Sequence, residues 1–196
     1  VERPILFSSD MVRAILDGRK TQTRRVIKPQ PTLGHTWRDW IVDPETMDLP
    51  TAYCPYGQSG DRLWVRETFT YITKSQNEYS NATRPDGVPV EVIYRADGEA
   101  DCTWTPSIFM PRWACRITLE IVNVRIEQVQ SISPADAIAE GWPKHLELFP
   151  LVNQESKALR WFQYLWDSIN AKRGFDWGSN PWVWVIEFMR SGKNDT

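Results

Sequence analysis

Cysteine and histidine are both scarce in this chain: three of one and two of the other in 196 residues. Cys54, Cys102 and Cys115 are far apart, odd in number and contain no C-x-x-C pair, which argues against a disulfide framework or a zinc ribbon. A mixed site with His35 or His145 lacks ligand spacing, so neither a metal nor a cofactor is expected. Long hydrophobic runs are also missing. Nothing approaches the roughly 18 apolar residues of a membrane-spanning helix, and the opening Val1-Glu2-Arg3-Pro4 has no signal-peptide core. The expectation is a soluble, cytoplasmic protein. Charge is close to balanced, with a net charge of −2 and a pI near 5.8, which excludes indiscriminate coating of nucleic acid by bulk attraction. No internal repeat is evident.

Tryptophan, in contrast, is abundant, with eleven copies. Each buries a large area and carries one polar N–H, so most belong in a core. A few that stand beside arginine could stack on nucleic-acid bases, a contact that contributes about 1 to 3 kcal/mol per base. With 41% hydrophobic residues the chain can build one sizeable core.

The densest chemistry lies in Gly18-Arg19-Lys20-Thr21-Gln22-Thr23-Arg24-Arg25, four cations and two threonine hydroxyls in eight residues. Before it, residues 10–17 place Met11, Ala14 and Ile15 on one helical face, with Ser9 or Asp10 as cap and Gly18 as terminator. After it, Thr21 to Ile27 reads as a strand stopped by Pro29 and Pro31. In that strand Thr21, Thr23 and Arg25 share a face. From Arg13 to Lys28 the cations Arg13, Arg19, Lys20, Arg24, Arg25 and Lys28 oppose only Asp17. That is either a local nucleic-acid patch or a solvated basic face.

Residues 28–60 hold five prolines and read as an irregular excursion, with Trp37 and Trp40 as lid or packing residues. Arg62 to Phe69 alternates as a half-buried strand. If Leu63 and Val65 point inward, Trp64 and Arg66 form an outward platform. If they point outward, Glu67 joins the exposed face. Residues 70–91 read as a flexible connection or hairpin tip, and Val90 to Tyr94 as a short strand. Asp97, Glu99 and Asp101 do not complete a calcium loop. The longest strand signal runs from Cys115 to Val129, with a phase shift at Ile121-Val122 that predicts a bulge. Arg112 and Trp113 stand at its entrance, to hold a base or phosphate or to close the barrel end. Ser133-Pro134 caps a helix to Glu140, stopped by Gly141. Glu140 then lies in the last turn, where the helix dipole disfavours a carboxylate. That suits a proton donor, although a plain surface glutamate fits the spacing too. Ser156 to Asn170 is an amphipathic helix, Trp182 to Met189 a terminal strand, and 191–196 a disordered tail. Helices near both ends with strands between them give an α+β barrel.

The ordered set Gly18 to Arg25, Gly60-Asp61, Ala137-Ile138-Ala139-Glu140-Gly141 and Trp184-Val185-Ile186-Glu187-Phe188 resembles the ASCH family, whose barrel is related to RNA-binding PUA domains. The segments Cys54-Pro55-Tyr56-Gly57, Gly60 to Glu67 and Met110 to Ala114 look most like longer members carried by bacteriophages and prophages. The resemblance implies a PUA-like (ASCH) β-barrel with flanking helices and long inserted loops. The expectation is one domain over 1–190 with insertions around 28–59, 70–110 and 143–155. By similarity to bacterial N4-acetylcytidine amidohydrolases it implies a catalytic set of Lys20, Thr23 and Glu140. There, Thr23 would attack the acyl carbon or orient water, Lys20 would take its proton and Glu140 would protonate the leaving nitrogen. Arg19 and Arg24 would lower the Lys20 pKa, and Arg25 matches the last arginine of the motif. Binding residues on this reading are Arg19, Arg24, Arg25, Trp64, Arg66, Glu67, Arg112 and Trp113, and the partner is a nucleoside or RNA. The other readings are a non-catalytic RNA or modified-base binder, a ribonuclease in which Lys20 and Arg25 hold phosphate, and a phage regulator that binds a host protein.

Overall fold

A computed structural model of the protein describes residues 1–31, 51–74, 80–143 and 154–191. Its regular elements are β1 (Glu2–Leu6), α1 (Ser9–Leu16), β2 (Gln22–Val26), β3 (Arg62–Arg66), β4 (Phe69–Thr73), β5 (Ala82–Thr83), β6 (Pro89–Tyr94), β7 (Thr118–Gln128), α2 (Pro134–Ala139), α3 (Gln154–Asn170) and β8 (Trp182–Arg190). The expectations for Trp37, Trp40, His35, His145 and residues 192–196 fall outside the described residues.

Five strands form one sheet in the order β1-β3-β7-β8-β2, parallel between β1 and β3 and antiparallel elsewhere. The α+β class is therefore what the chain adopts. The expected barrel closure is not seen: among the described residues β1 and β2 are the two free edges of an open sheet. The chain passes from one edge to the other through α1, and a side chain bridges them, Arg25 Nη2 donating to the Leu6 carbonyl at 2.7 Å. Residues 70–91 are more regular than the sequence indicated, because β4 and β5 pair with β6 in a second, three-stranded sheet. Its signal was weak since Tyr71 and Ile72 remain exposed and only Phe69 of β4 is buried.

The terminal strand β8 reads as a run of β formers because both of its faces are covered. Trp184, Ile186 and Phe188 join Ile5, Val12, Ile15, Leu63 and Leu119 in one cluster. Val183 and Val185 join Ala137, Phe162 and Trp166 in another. Thus α1 lies on one side of the sheet, while α2 and α3 lie on the other. The phase shift at Ile121 is a β-bulge, with the register slipping between Ile121 and Asn123 and Val122 left exposed. Leu63 and Val65 point inward and are fully buried, which settles the β3 face. Helix α1 begins one residue earlier than expected. Its N-cap is Ser8, whose side chain makes no capping bond, and Gly18 ends it at φ +73°.

Candidate functional site: a cationic cleft at the β2 edge

β2 is an edge strand, so residues on both of its faces can reach the same opening. Thr23 and Arg25 pair with Ile186 and Trp184 and share their face, whereas Arg24 pairs with Val185 and faces the opposite cluster. The opening is a cleft of about 590 Å³ lined by Lys20, Thr23, Arg24, Arg25 and Glu140, with aromatic walls from Phe7, Tyr56, Phe162 and Trp166.

Lys20 and Glu140 meet because the ends of α1 and α2 are stitched together. The two residues form an antiparallel bridge, Thr21 N donates to the Ala139 carbonyl at 2.9 Å, and Gln22 Nε2 donates to the Asp136 carbonyl at 2.8 Å. Lys20 Nζ then donates to Glu140 Oε2 and to the Glu140 carbonyl, each at 2.8 Å. Both residues are only 3% exposed. Gly141 makes the approach possible. Its φ is +105°, and a Cβ there would lie 3.1 Å from Ala14 Cβ and 3.3 Å from Lys20 Cβ. Gly141→Ala is accordingly expected to lower stability by about 1 to 3 kcal/mol. A shift of the urea midpoint reads that loss directly, and an unchanged midpoint would contradict the close approach.

Burial pushes the Lys20 pKa down from 10.5. Glu140 opposes that fall, and Arg25 and Arg24 add to it. The sequence-based assignment of this effect to Arg19 and Arg24 is thus revised: burial leads, Arg25 contributes, and Arg19 is engaged elsewhere. Arg19 donates to the Trp142 carbonyl at 2.7 Å and pairs with Asp17. Glu140 sits at the C-cap of α2, yet its surroundings are set by two cations, Lys20 on Oε2 and Arg24 Nη1 on Oε1 at 3.1 Å. The wholly buried Arg24 side chain also reaches Glu127 and Asp136, and Arg125 extends the network to Glu127, Asp136 and Glu187. Thr23 Oγ1 makes no hydrogen bond to another described residue and is available to a ligand.

Arg25 differs from its neighbours. It has no carboxylate partner among the described residues, its Nε is buried without a hydrogen-bond partner, and its guanidinium stacks 5.1 Å from the Phe7 ring centroid. Burial lowers its pKa from the usual arginine value, Tyr56 and Glu140 oppose that fall, and Arg173 adds to it.

The remaining residues expected in the site are not in the cleft. Trp64 lies under Arg66 and Arg112, whose guanidinium carbons are 4.9 and 6.0 Å from its ring centroid. Arg66 Nε donates to the Met110 carbonyl, and Arg112 forms a fork with Glu2, both bonds at 2.9 Å. Trp113 packs edge-on against Tyr71. Glu67 is 1% exposed, takes two 2.9 Å bonds from Arg116, and has its pKa raised by burial; it is part of the interior. The sequence reading missed Phe7, Tyr56, Phe162 and Arg173. Phe162 lies within the amphipathic helix read from Ser156 to Asn170, where its spacing marks an ordinary core residue, and Arg173 had no signal beyond its place before Gly174.

Fold and site together define an α+β protein with a cationic, aromatic-walled cleft beside a buried lysine–glutamate pair. No family model matches the chain, and no curated protein matches it. Among solved structures the chain is similar to the crystal structure of an ASCH domain from Lactobacillus crispatus JV V101, with a TM-score of 0.41 and 15% identity, over 96% of this chain and 79% of that one.

Proposed function

We propose that the cleft binds a nucleoside or an RNA base and removes an acyl group from an N4-acylated cytidine-like base. The observation that carries this reading is the buried Lys20–Glu140 pair beside an unengaged threonine hydroxyl in a ligand-sized opening. Amide hydrolysis needs a nucleophile, a base for its proton and an acid for the departing amine. Burial disfavours the charged ammonium, which favours Lys20 Nζ as the base, and the 2.8 Å bond to Glu140 offers a path by which the proton it takes reaches the departing amine.

In the first step Thr23 Oγ1 attacks the acyl carbon, Lys20 Nζ takes the hydroxyl proton and Glu140 relays it to the exocyclic nitrogen. The C–N bond breaks, leaving an acyl ester on Thr23 and a free base. Water then adds to the ester carbon as Lys20 Nζ takes one of its protons, the bond from the acyl carbon to Thr23 Oγ1 breaks, and Lys20 returns the proton to Oγ1 as the carboxylic acid departs. The half-buried Tyr56 on the wall offers a face for the base.

The test is hydrolysis of N4-acetylcytidine, followed by chromatography, with Thr23→Val and Glu140→Gln beside the wild type. Turnover by wild type that both folded variants lose supports the assignment, and its absence from wild type refutes it. A second reading, binding without catalysis, is favoured by Arg25, which forms no ion pair with any described residue and keeps a buried Nε without a partner. It expects salt-dependent RNA affinity that survives Glu140→Gln.

A further inference from the structure

Five cations line the cleft, Lys20, Arg24, Arg25, Lys28 and Arg173, against one carboxylate, Glu140. Lys20 and Arg24 are neutralised from within, since they share Glu140, and Arg24 also holds Glu127 and Asp136. The other three form no ion pair with any described residue. Arg25 presents a buried, unpartnered Nε. Lys28 is exposed just after β2, with its ammonium 4.9 Å from the Phe175 ring centroid. Arg173 is exposed in the 3₁₀ turn that follows α3. Three cations from two parts of the chain, the end of β2 and the turn after α3, therefore meet at one opening without an ion-pair partner among the described residues; Glu140 acts on Arg25 from nearby but is already shared by Lys20 and Arg24, and Arg173 is close enough to Arg25 to repel it.

Like charges gathered in this way cost stability, and in a half-desolvated cleft that cost is recovered when an anion enters. The acid that balances the Lys20–Arg24 interior is already in place, so the missing charge belongs to the ligand. An acylated nucleoside is neutral and leaves the three cations unpaired.

We infer that the cleft takes a phosphate-bearing ligand, a nucleotide instead of a free nucleoside, with its phosphate held by Arg25, Lys28 and Arg173. This rests on the nucleoside reading above for the base but not for the phosphate. Guanidinium forks suit phosphate oxygens, and Lys28 adds a point charge at the rim. The same chemistry is offered by a terminal monoester or by the internal diester of an RNA strand.

The experiment is calorimetric titration of wild type with cytidine, N4-acetylcytidine, their 5′-monophosphates and a cytidine dinucleotide, at low and moderate salt. Lys28→Gln and Arg173→Gln serve as variants because both positions are exposed and their loss should leave the fold intact. The expected result is that a phosphorylated ligand binds about tenfold or more tightly than its nucleoside. Each variant should remove most of that advantage and flatten the salt dependence. Preference for the monophosphates over the dinucleotide identifies a mononucleotide, and the reverse identifies an RNA strand. If the acetyl group adds nothing while phosphate still binds through Lys28 and Arg173, the inference stands and the amidohydrolase reading falls. Equal affinity for nucleoside and nucleotide, or a phosphate advantage that both variants retain, overturns the inference.

Discussion

Arg24→Leu is expected to destabilise the protein by about 3 to 5 kcal/mol, the usual cost of removing one partner from a buried ionic network. The Arg24 side chain is 0% exposed and donates to Glu127 at 2.5 and 2.9 Å, to Asp136 at 3.2 Å and to Glu140 at 3.1 Å. Its removal leaves three carboxylates facing one another with only Lys20 and Arg125 to offset them. Arg24→Lys should recover little, because a single ammonium cannot span the forked geometry. Urea denaturation measures the loss as a lower midpoint at unchanged slope. Arg13→Ala is the control. Its pair with Asp10 is exposed on both sides and contributes about 0 to 1 kcal/mol, and its one part-buried bond to the Ala96 carbonyl adds about 1 kcal/mol, still well below the loss at Arg24. A small effect at Arg24 would mean that the network relaxes with water and is not closed.

Lys20→Met should abolish most turnover on the proposed substrate, with a fall of about 10²- to 10⁴-fold in kcat, the range attributed to a positioned acid–base group. Methionine retains much of the buried volume while removing the amine. The wild-type pH profile is the sharper readout. Because burial lowers the Lys20 pKa from 10.5, activity should rise as pH increases through that lowered value, and the rise should vanish in Lys20→Met. The same shift has a consequence for stability. Between the lowered folded value and 10.5 the unfolded chain binds more protons than the folded one, so the Lys20 contribution makes stability increase with pH across that window. Glu67 acts in the opposite sense. Its raised folded value lets the native state hold the extra proton, so its contribution falls as pH rises from 4.5 through that value. Comparing Lys20→Met with wild type removes the common Glu67 background.

Much of the fold was legible because local patterns agree with tertiary burial. The capped start at Ser133, the helical period from Leu159 to Ile169 and the β formers from Trp182 onward each report a surface that must be covered, and the sheet and helices cover it. The phase shift at Ile121 revealed a bulge for the same reason, since a strand with one buried face cannot slip register without showing it. The small second sheet was not legible, because β4 exposes most of its length and so carries no alternation. Nor was the open edge between β1 and β2, which depends on which strands pair, a long-range property that no window of sequence contains.

The sequence by itself determined the ingredients of the candidate site: a cation-rich corner at Lys20, a glycine after Glu140, and strands whose alternation fixes which side chains share a face. Tertiary structure decided which of those ingredients meet. Lys20 and Glu140 are brought together by the joining of α1 and α2, whereas Trp64, Arg66, Arg112 and Trp113 are packed among themselves away from the cleft. The physical reason is that charge and aromaticity are properties of a residue. Whether a cation is already paired depends on neighbours a hundred or more positions away, as with Arg24 and Glu140, while Arg25 forms no ion pair with any described residue.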